Sequence, residues 1–251
     1  MRSVPYRPGR FWPSWCGGRC GGAAVADDWG SVAVVTRTFD HVDPLFFNAW
    51  TGLIAAGLRP GDRVMPATVR LAAHHAMNNI IAAFLEQGVY AHCDALLTID
   101  HDHLFAVDVL DRLRDDPAGW EYDALGALYA ARSDGRPLVQ RMADGYTWDD
   151  PMFAVPDRWW DGIVEVDMLP FGFTLWRRRL FETLDPPWCH YPYSLATEDV
   201  PLSMAARRRG FRLAVHAGVE VDHMTPHVIR TAAAEMRAGD GGQTDKPDSR
   251  A

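Results

Sequence analysis

The chain has 251 residues, 48% of them hydrophobic, and a formal net charge of -8. That is enough for one sizeable core, and the acidic balance excludes a protein whose whole surface grips nucleic acid, because such binding neutralises phosphates with Lys and Arg. No apolar run approaches the roughly 20 residues of a membrane-spanning helix and the N-terminus lacks a signal-like apolar core, so a cytoplasmic location is expected.

Residues 1–30 are rich in Gly, Pro, Arg and Trp without periodicity, which predicts a loosely ordered extension. Its Cys16 and Cys20, with Cys93 and Cys189, do not form the pattern of a secreted disulfide framework. The folded unit is expected over 31–230, as a single domain, with a flexible polar tail over 231–251. Within it "SVAVVTRTF" is a β-branched run fit for a buried strand, and a helix is expected from Pro44 to Ala56. The stretch "VRLAAHHAMNNIIAAFLEQG" puts Val69, Ala73, Ala76, Met77, Ile80, Ile81 and Phe84 on one helical face, with Gly88 as the stop. "DALLTID" is a second buried strand, "VDVLDRLRDD" a helix and "YDALGALYAAR" a third strand. After a long Trp-rich connection, "VEVDMLPFGFTLWRRRLFETL" runs strand, Gly bend, strand and short helix. "TEDVPLSMAARRRGF" is a helix capped by Thr197 or Asp199 and closed by Gly210. A strand, a turn at Gly218 and a further strand ending in His223 complete the unit. Strands alternating with helices imply an α/β domain, a mostly parallel twisted sheet flanked by helices.

In such sheets ligands sit beyond the carboxyl ends of the strands. Asp100 and Asp102 lie there, in "LLTIDHDHLF". If the backbone stays extended, residues two apart point the same way, so the two acids can converge on one point while His101 faces elsewhere. Paired oxygen ligands suit a hard cation such as Mg²⁺ or Mn²⁺. The competing reading is a strand that simply ends in a polar loop.

The order of these motifs resembles glycosyltransferases of the GT-A fold, most closely family-two-like enzymes of bacteria and phages with an Asp-X-Asp-His motif. The likeness runs from about 31 to 225. It implies a Rossmann-like GT-A sheet and transfer of a sugar from a nucleotide-diphosphate donor, UDP-sugar favoured, to an acceptor hydroxyl with Mn²⁺ or Mg²⁺. On the resemblance, Thr36, Arg37 and Thr38 bind base and ribose, and Asn78 or Asn79 approaches the nucleotide. Asp100 meets ribose and metal-bound water, His101 lies with it in the donor site, Asp102 binds the metal directly, and His223 is a late-chain metal ligand. Gly172 and Phe173 form the bend beside the transferred sugar. Asp199, second of the Glu198–Asp199 pair, matches the base of inverting members, and as an acid at a helix N-terminus it is expected to stay ionised. Trp148, Trp159 and Trp160 offer flat faces for an acceptor, with core filling as the rival. The triplets Arg177–Arg179 and Arg207–Arg209 read as solvated helix faces, with contact to a diphosphate as the alternative.

Three other readings remain. A glycosyltransferase acting on modified bases of phage DNA would share the chemistry and need a basic groove. A nucleotidylyltransferase would want a Gly-rich phosphate loop with a lysine near the first strand, which "VVTRTF" lacks. A non-enzymatic sugar- or calcium-binding module would not need the paired acids 198 and 199.

Overall fold

The computed structural model describes residues 28–38, 41–132, 135–147, 149, 152–191, 197–224, 228–229 and 236–237. Trp148 and the Cys16–Cys20 segment lie outside them. The chain opens with β1 (Val32–Thr38), whose residues alternate between two hydrophobic clusters: Ala33 and Val35 pack to one side of the sheet, Val32 and Val34 to the other. Helix α1 (Pro44–Gly52) starts where Asp43 Oδ1 accepts the Leu45 N–H at 2.7 Å with Pro44 behind it, a side-chain cap with proline at the first helical position. One π-helical turn, Leu53–Gly57, completes the segment expected as a single helix.

The short strands β2 (Arg63–Val64) and β3 (Thr68–Val69) both pair with β1 in parallel. Helix α2 (Ala73–Glu86) therefore begins four residues later than Val69, which belongs to β3 and is 54% exposed. Its buried stripe is Ala76, Met77, Ile80, Ile81 and Phe84, as the spacing predicts. Strand β4 (Ala95–Asp100), a turn and β5 (His103–Leu104) follow, then α3 (Val109–Arg114) and β6 (Ala124–Leu128). Short β7 (Arg141–Met142) and β8 (Phe153–Ala154) pair with each other, ahead of β9 (Ile163–Val166) and β10 (Phe173–Arg177). The chain then forms α4 (Arg178–Thr183), α5 (Asp199–Arg208), β11 (Leu213–Glu220), β12 (Asp222–Met224) and β13 (Val228–Ile229).

The main sheet has the order β2-β1-β4-β10-β6-β11-β9, with β3 also on β1. It is mostly parallel, as expected, with two strands reversed. β1 runs with β4 and β6 with β11, but β10 lies between β4 and β6 antiparallel to both, and β9 is antiparallel to β11 at the edge. Among the described residues the connection from β6 to β10 holds only short strands, without the crossover helix that a parallel return requires. Gly218 sits within β11, beside a shift of register between His216 and Glu220, and not in a turn between two strands. The core reaches back to Trp29, fully buried beneath the Arg177 guanidinium.

A second sheet, β13-β12-β5, lies past the carboxyl end of β4. It exists because the chain turns at His101–Asp102 as β4 ends, so that His103 becomes the cross-strand partner of His223. Among the described residues no helix is long and apolar enough to cross a membrane.

Candidate functional site

Three neighbouring groups of side chains collect at the carboxyl ends of β1 and β4. The first centres on Arg37, which lies opposite Asp100 in the β1–β4 register. Its Nε donates to Asp100 Oδ1 at 2.6 Å and its Nη2 to Oδ2 at 3.2 Å, a two-pronged grip. The remaining prong, Nη1, donates to Glu198 Oε1 at 2.6 Å, and the guanidinium carbon lies 5.6 Å from the centre of the Phe171 ring. Burial works against the charge on Asp100, but the Arg37 cation outweighs it and holds that carboxyl below the usual range. Burial likewise opposes the charge on Arg37, and Asp100 and Glu198 more than offset it.

The second group is Asp102, His103 and His223, each offering a ligand atom within 4.8 Å of the others. His103 and His223 stack as a cross-strand pair, ring centroids 4.7 Å apart. His223 Nδ1 bonds the Ala130 carbonyl at 2.8 Å, so its proton is fixed there and Nε2 faces Asp102 Oδ2 at 3.3 Å. Arg132 donates to that Nε2 and pairs with Asp102. Burial raises the cost of ionising Asp102, yet its contact with His223 and the positive charge of Arg132 leave its carboxyl well below the usual range. Burial pushes His103 down to about 4, against the pull of Asp100 and Asp102, which leaves a neutral imidazole, the form that binds metals.

Asp102 Oδ1 and His103 Nε2 are buried without a hydrogen-bond partner. Buried polar atoms almost always find one. Two orphaned lone-pair atoms in a carboxylate–imidazole cluster therefore fit a cation, and Asp102, His103 and His223 are the residues that would hold it, His223 through the Nε2 that Arg132 would have to release.

Asp199 anchors the third group as the first residue of α5. The helix cap is Glu198, whose side chain makes no capping bond because Arg37 engages it, so neither Thr197 nor Asp199 is the cap. The Thr197 hydroxyl donates to Asp199 Oδ1. Burial raises Asp199 to about 6, with Glu198 adding to the rise. Burial thus outweighs the helix terminus, and the expected ionised state holds only above that pH.

A cavity of about 280 Å³ adjoins the first two of these groups, lined by Arg37, Thr38, Asp100, His101, Asp102 and Arg132 among others. The start of α2 also borders it through Ala72 and Ala73 and carries no side-chain cap. His101 Nδ1 is bonded to the Arg37 carbonyl at 3.1 Å.

Several of the residues picked out from sequence have their side chains engaged elsewhere. Asn78 bonds both backbone groups of Cys189, at 2.7 and 3.0 Å, and Asn79 lines a different recess beside Met65 and Ile80. Thr36 Oγ1 is buried without a partner inside β1. Phe173 is a fully buried core residue, edge-on to Phe105. Trp159 and Trp160 pack against the core, which answers to the rival reading of those rings. The arginine triplets are largely structural. Arg177 and Arg178 donate to backbone carbonyls of residues 28, 84, 90, 93, 120 and 122, and Arg207 to Glu165 and Asp167, near the opposite ends of the strands.

His103 escaped the sequence reading because strand alternation ends at Asp100. A signal was present: "DHL" at 102–104 and "DHM" at 222–224 are the same Asp-His pattern, and these two stretches pair. Gly172 is required for a steric reason. Its carbonyl accepts the Asp100 N–H at 2.7 Å, and an added Cβ would fall 2.6 Å from His103 Cε1 and against the Tyr129 hydroxyl. Gly172→Ala should therefore cost ~1–3 kcal/mol as an overpacked site. A thermal melt within a degree of the parent would contradict that.

No family model and no curated protein matches this sequence. Solved structures do. A197 from STIV superposes with a TM-score of 0.55 at 16% identity, covering 80% of this chain and 93% of its own. GalNAc-T7, solved with UDP, GalNAc and Mn²⁺, gives a TM-score of 0.54 at 12% identity over 82% of this chain, which spans 45% of the length of that one. At such identities the likeness is one of architecture: a mixed sheet flanked by helices, GT-A-like in fold.

Proposed function

We propose that the protein is a cation-assisted glycosyltransferase that takes a nucleotide-diphosphate sugar, UDP-sugar favoured, and inverts the anomeric centre with Asp199 as base. The observation that carries this reading is one cavity bordered by a carboxylate–imidazole cluster with orphaned ligand atoms, an uncapped helix start and, nearby, an acid raised to about 6. The GalNAc-T7 structure holds UDP, GalNAc and Mn²⁺ on the same architecture.

The base and ribose take the cavity walls at Arg37, Thr38, Asp100 and His101. Free N–H groups at the start of α2 and the Arg132 guanidinium offer donors to the diphosphate. Asp102, His103 and His223 would hold the ion, and two imidazoles beside one carboxylate favour Mn²⁺ over Mg²⁺. A divalent cation supplies charge stabilisation to the departing diphosphate. Gly172, placed beside the transferred sugar by the resemblance, lets Tyr129 and His103 close in where a side chain would stand. Asp199 takes the proton from the acceptor hydroxyl as that oxygen attacks, and an acid of pKa near the working pH is suited to this.

A panel of nucleotide sugars with Mn²⁺, scored for slow hydrolysis, tests the reading without needing the acceptor. Turnover of one sugar nucleotide in preference to the others is expected. If none is hydrolysed and UDP does not bind in the presence of Mn²⁺, the proposal falls.

A further inference from the structure

We infer that Arg37 and Glu198 form a tether which sets the N-terminus of α5, and with it Asp199, against the strand ends that carry Asp100, so that Glu198 is a positioning residue and not a second base. This rests on the sugar-transfer reading above and assigns work within that site.

The geometry is a fork with its prongs divided between two elements. Arg37 spends Nε and Nη2 on Asp100, its neighbour across the sheet, and Nη1 on Glu198, which is far away in sequence but adjacent in space. Only Arg has a rigid planar donor set that can serve two carboxylates in fixed directions. Glu198 is 5% exposed, and an ionised carboxylate that deep would be costly without this partner.

The tether matters because, among the described residues, it is the ion pair that holds the start of this helix, where the Tyr191 hydroxyl also bonds Glu198. Glu198 makes no capping bond of its own. Further along, Ser203 Oγ accepts the Leu169 N–H at 3.1 Å, joining the helix to the bend ahead of Gly172. The later turns are also held, by Leu202 and Ala206 in the core and by Arg207 on Glu165 and Asp167, so what the tether adds is a fixed position for the first turn. Asp199 follows directly after Glu198 in the chain, so whatever orients one orients the other. The cation also lies where it sees both halves of the site: Asp100 beside the cavity and Glu198 beside the base. A chain with two adjacent acids thus uses one as a handle and leaves the other for the proton.

The test compares Glu198→Ala with Glu198→Gln in the full chain, reading UDP affinity with Mn²⁺ by calorimetry and turnover by sugar-nucleotide hydrolysis. Alanine removes the handle, and turnover should fall on the order of 10²-fold, the scale of a small misplacement. UDP affinity should stay within about threefold, because Glu198 does not line the cavity. Glutamine keeps an oxygen for Arg37 Nη1, weaker than a carboxylate, and should bring turnover back to within about tenfold of the parent. Glutamine as inactive as alanine, with UDP still bound, would make the Glu198 carboxylate a participant in the chemistry and overturn the tether. So would near-normal turnover in the alanine variant. Hydrogen exchange of the amides of residues 202–206 needs no substrate: faster exchange in alanine than in glutamine supports the tether, and equal protection in both overturns it. If the parent protein hydrolyses no sugar nucleotide, the sugar-transfer reading fails on that result, while the exchange measurement still decides the tether.

Discussion

Asp102→Asn is expected to abolish Mn²⁺-dependent binding of UDP while leaving the fold intact. The carboxylate is kept ionised by its contact with His223 and by the Arg132 cation, and one of its oxygens is buried without a partner. Asparagine has the same outline but no negative charge, and it would turn either a weak neutral oxygen or an N–H donor toward the cation. A ligand lost outright should cost at least the ~10- to 100-fold that partners outside the ligand sphere are already worth. Some stability should be lost, because a carboxylate held below its usual range stabilises the folded state at neutral pH, but the fold should persist, since Asp102 lies in the turn between β4 and β5 and Arg132, left without its anion, has a side chain 56% exposed to water. Calorimetric titration of parent and variant with UDP, with and without Mn²⁺, separates the terms. Equal affinity in the two proteins would remove Asp102 from the cation site.

What could be read in the sequence and what could not divides along the distance between partners. Strands β1, β4 and β10 announce themselves as apolar runs, and α2 by its 3.6-residue stripe, because those patterns are local. Asp102 stood out from its spacing with Asp100, but its meeting with His223 was legible only through resemblance, since the two are 121 residues apart and come together through the pairing of β5 with β12. Alternation misled at the end of β4. It presumes an extended backbone, and the chain turns at His101, so Asp100 goes to Arg37 and Asp102 to His223. The reversed strands were hidden for a similar reason: apolar runs carry no direction, and β10 reverses after a bend whose Thr98, Phe171 and Thr174 hydrogen bonds are all tertiary. The raised value of Asp199 was not legible because the helix terminus is visible in the sequence and burial is not.

Asp199→Asn should separate a base from a helix-start residue. Asn keeps the size of the side chain and an oxygen for the Thr197 hydroxyl but has no useful basicity, so UDP with Mn²⁺ should still bind. Turnover should fall by the ~10²- to 10⁴-fold typical of losing a general base. In the parent, turnover should decline as pH drops through about 6, where Asp199 takes up its proton, and that limb should vanish from the residual activity of the variant. Stability should move the other way. The folded-state value of about 6 lies above the ordinary 3.8, so the folded protein holds this proton more tightly and loses stability as pH rises from about 4 to 6. Above that window the full cost of the buried charge stands, and asparagine carries none of it. The variant should therefore be at least as stable as the parent at pH 7 while far slower, which simple loss of a structural contact would not produce. A retaining mechanism predicts a modest loss and a product that keeps the donor's anomeric configuration. Near-normal turnover with an inverted product would leave Asp199 with no part in the proton transfer.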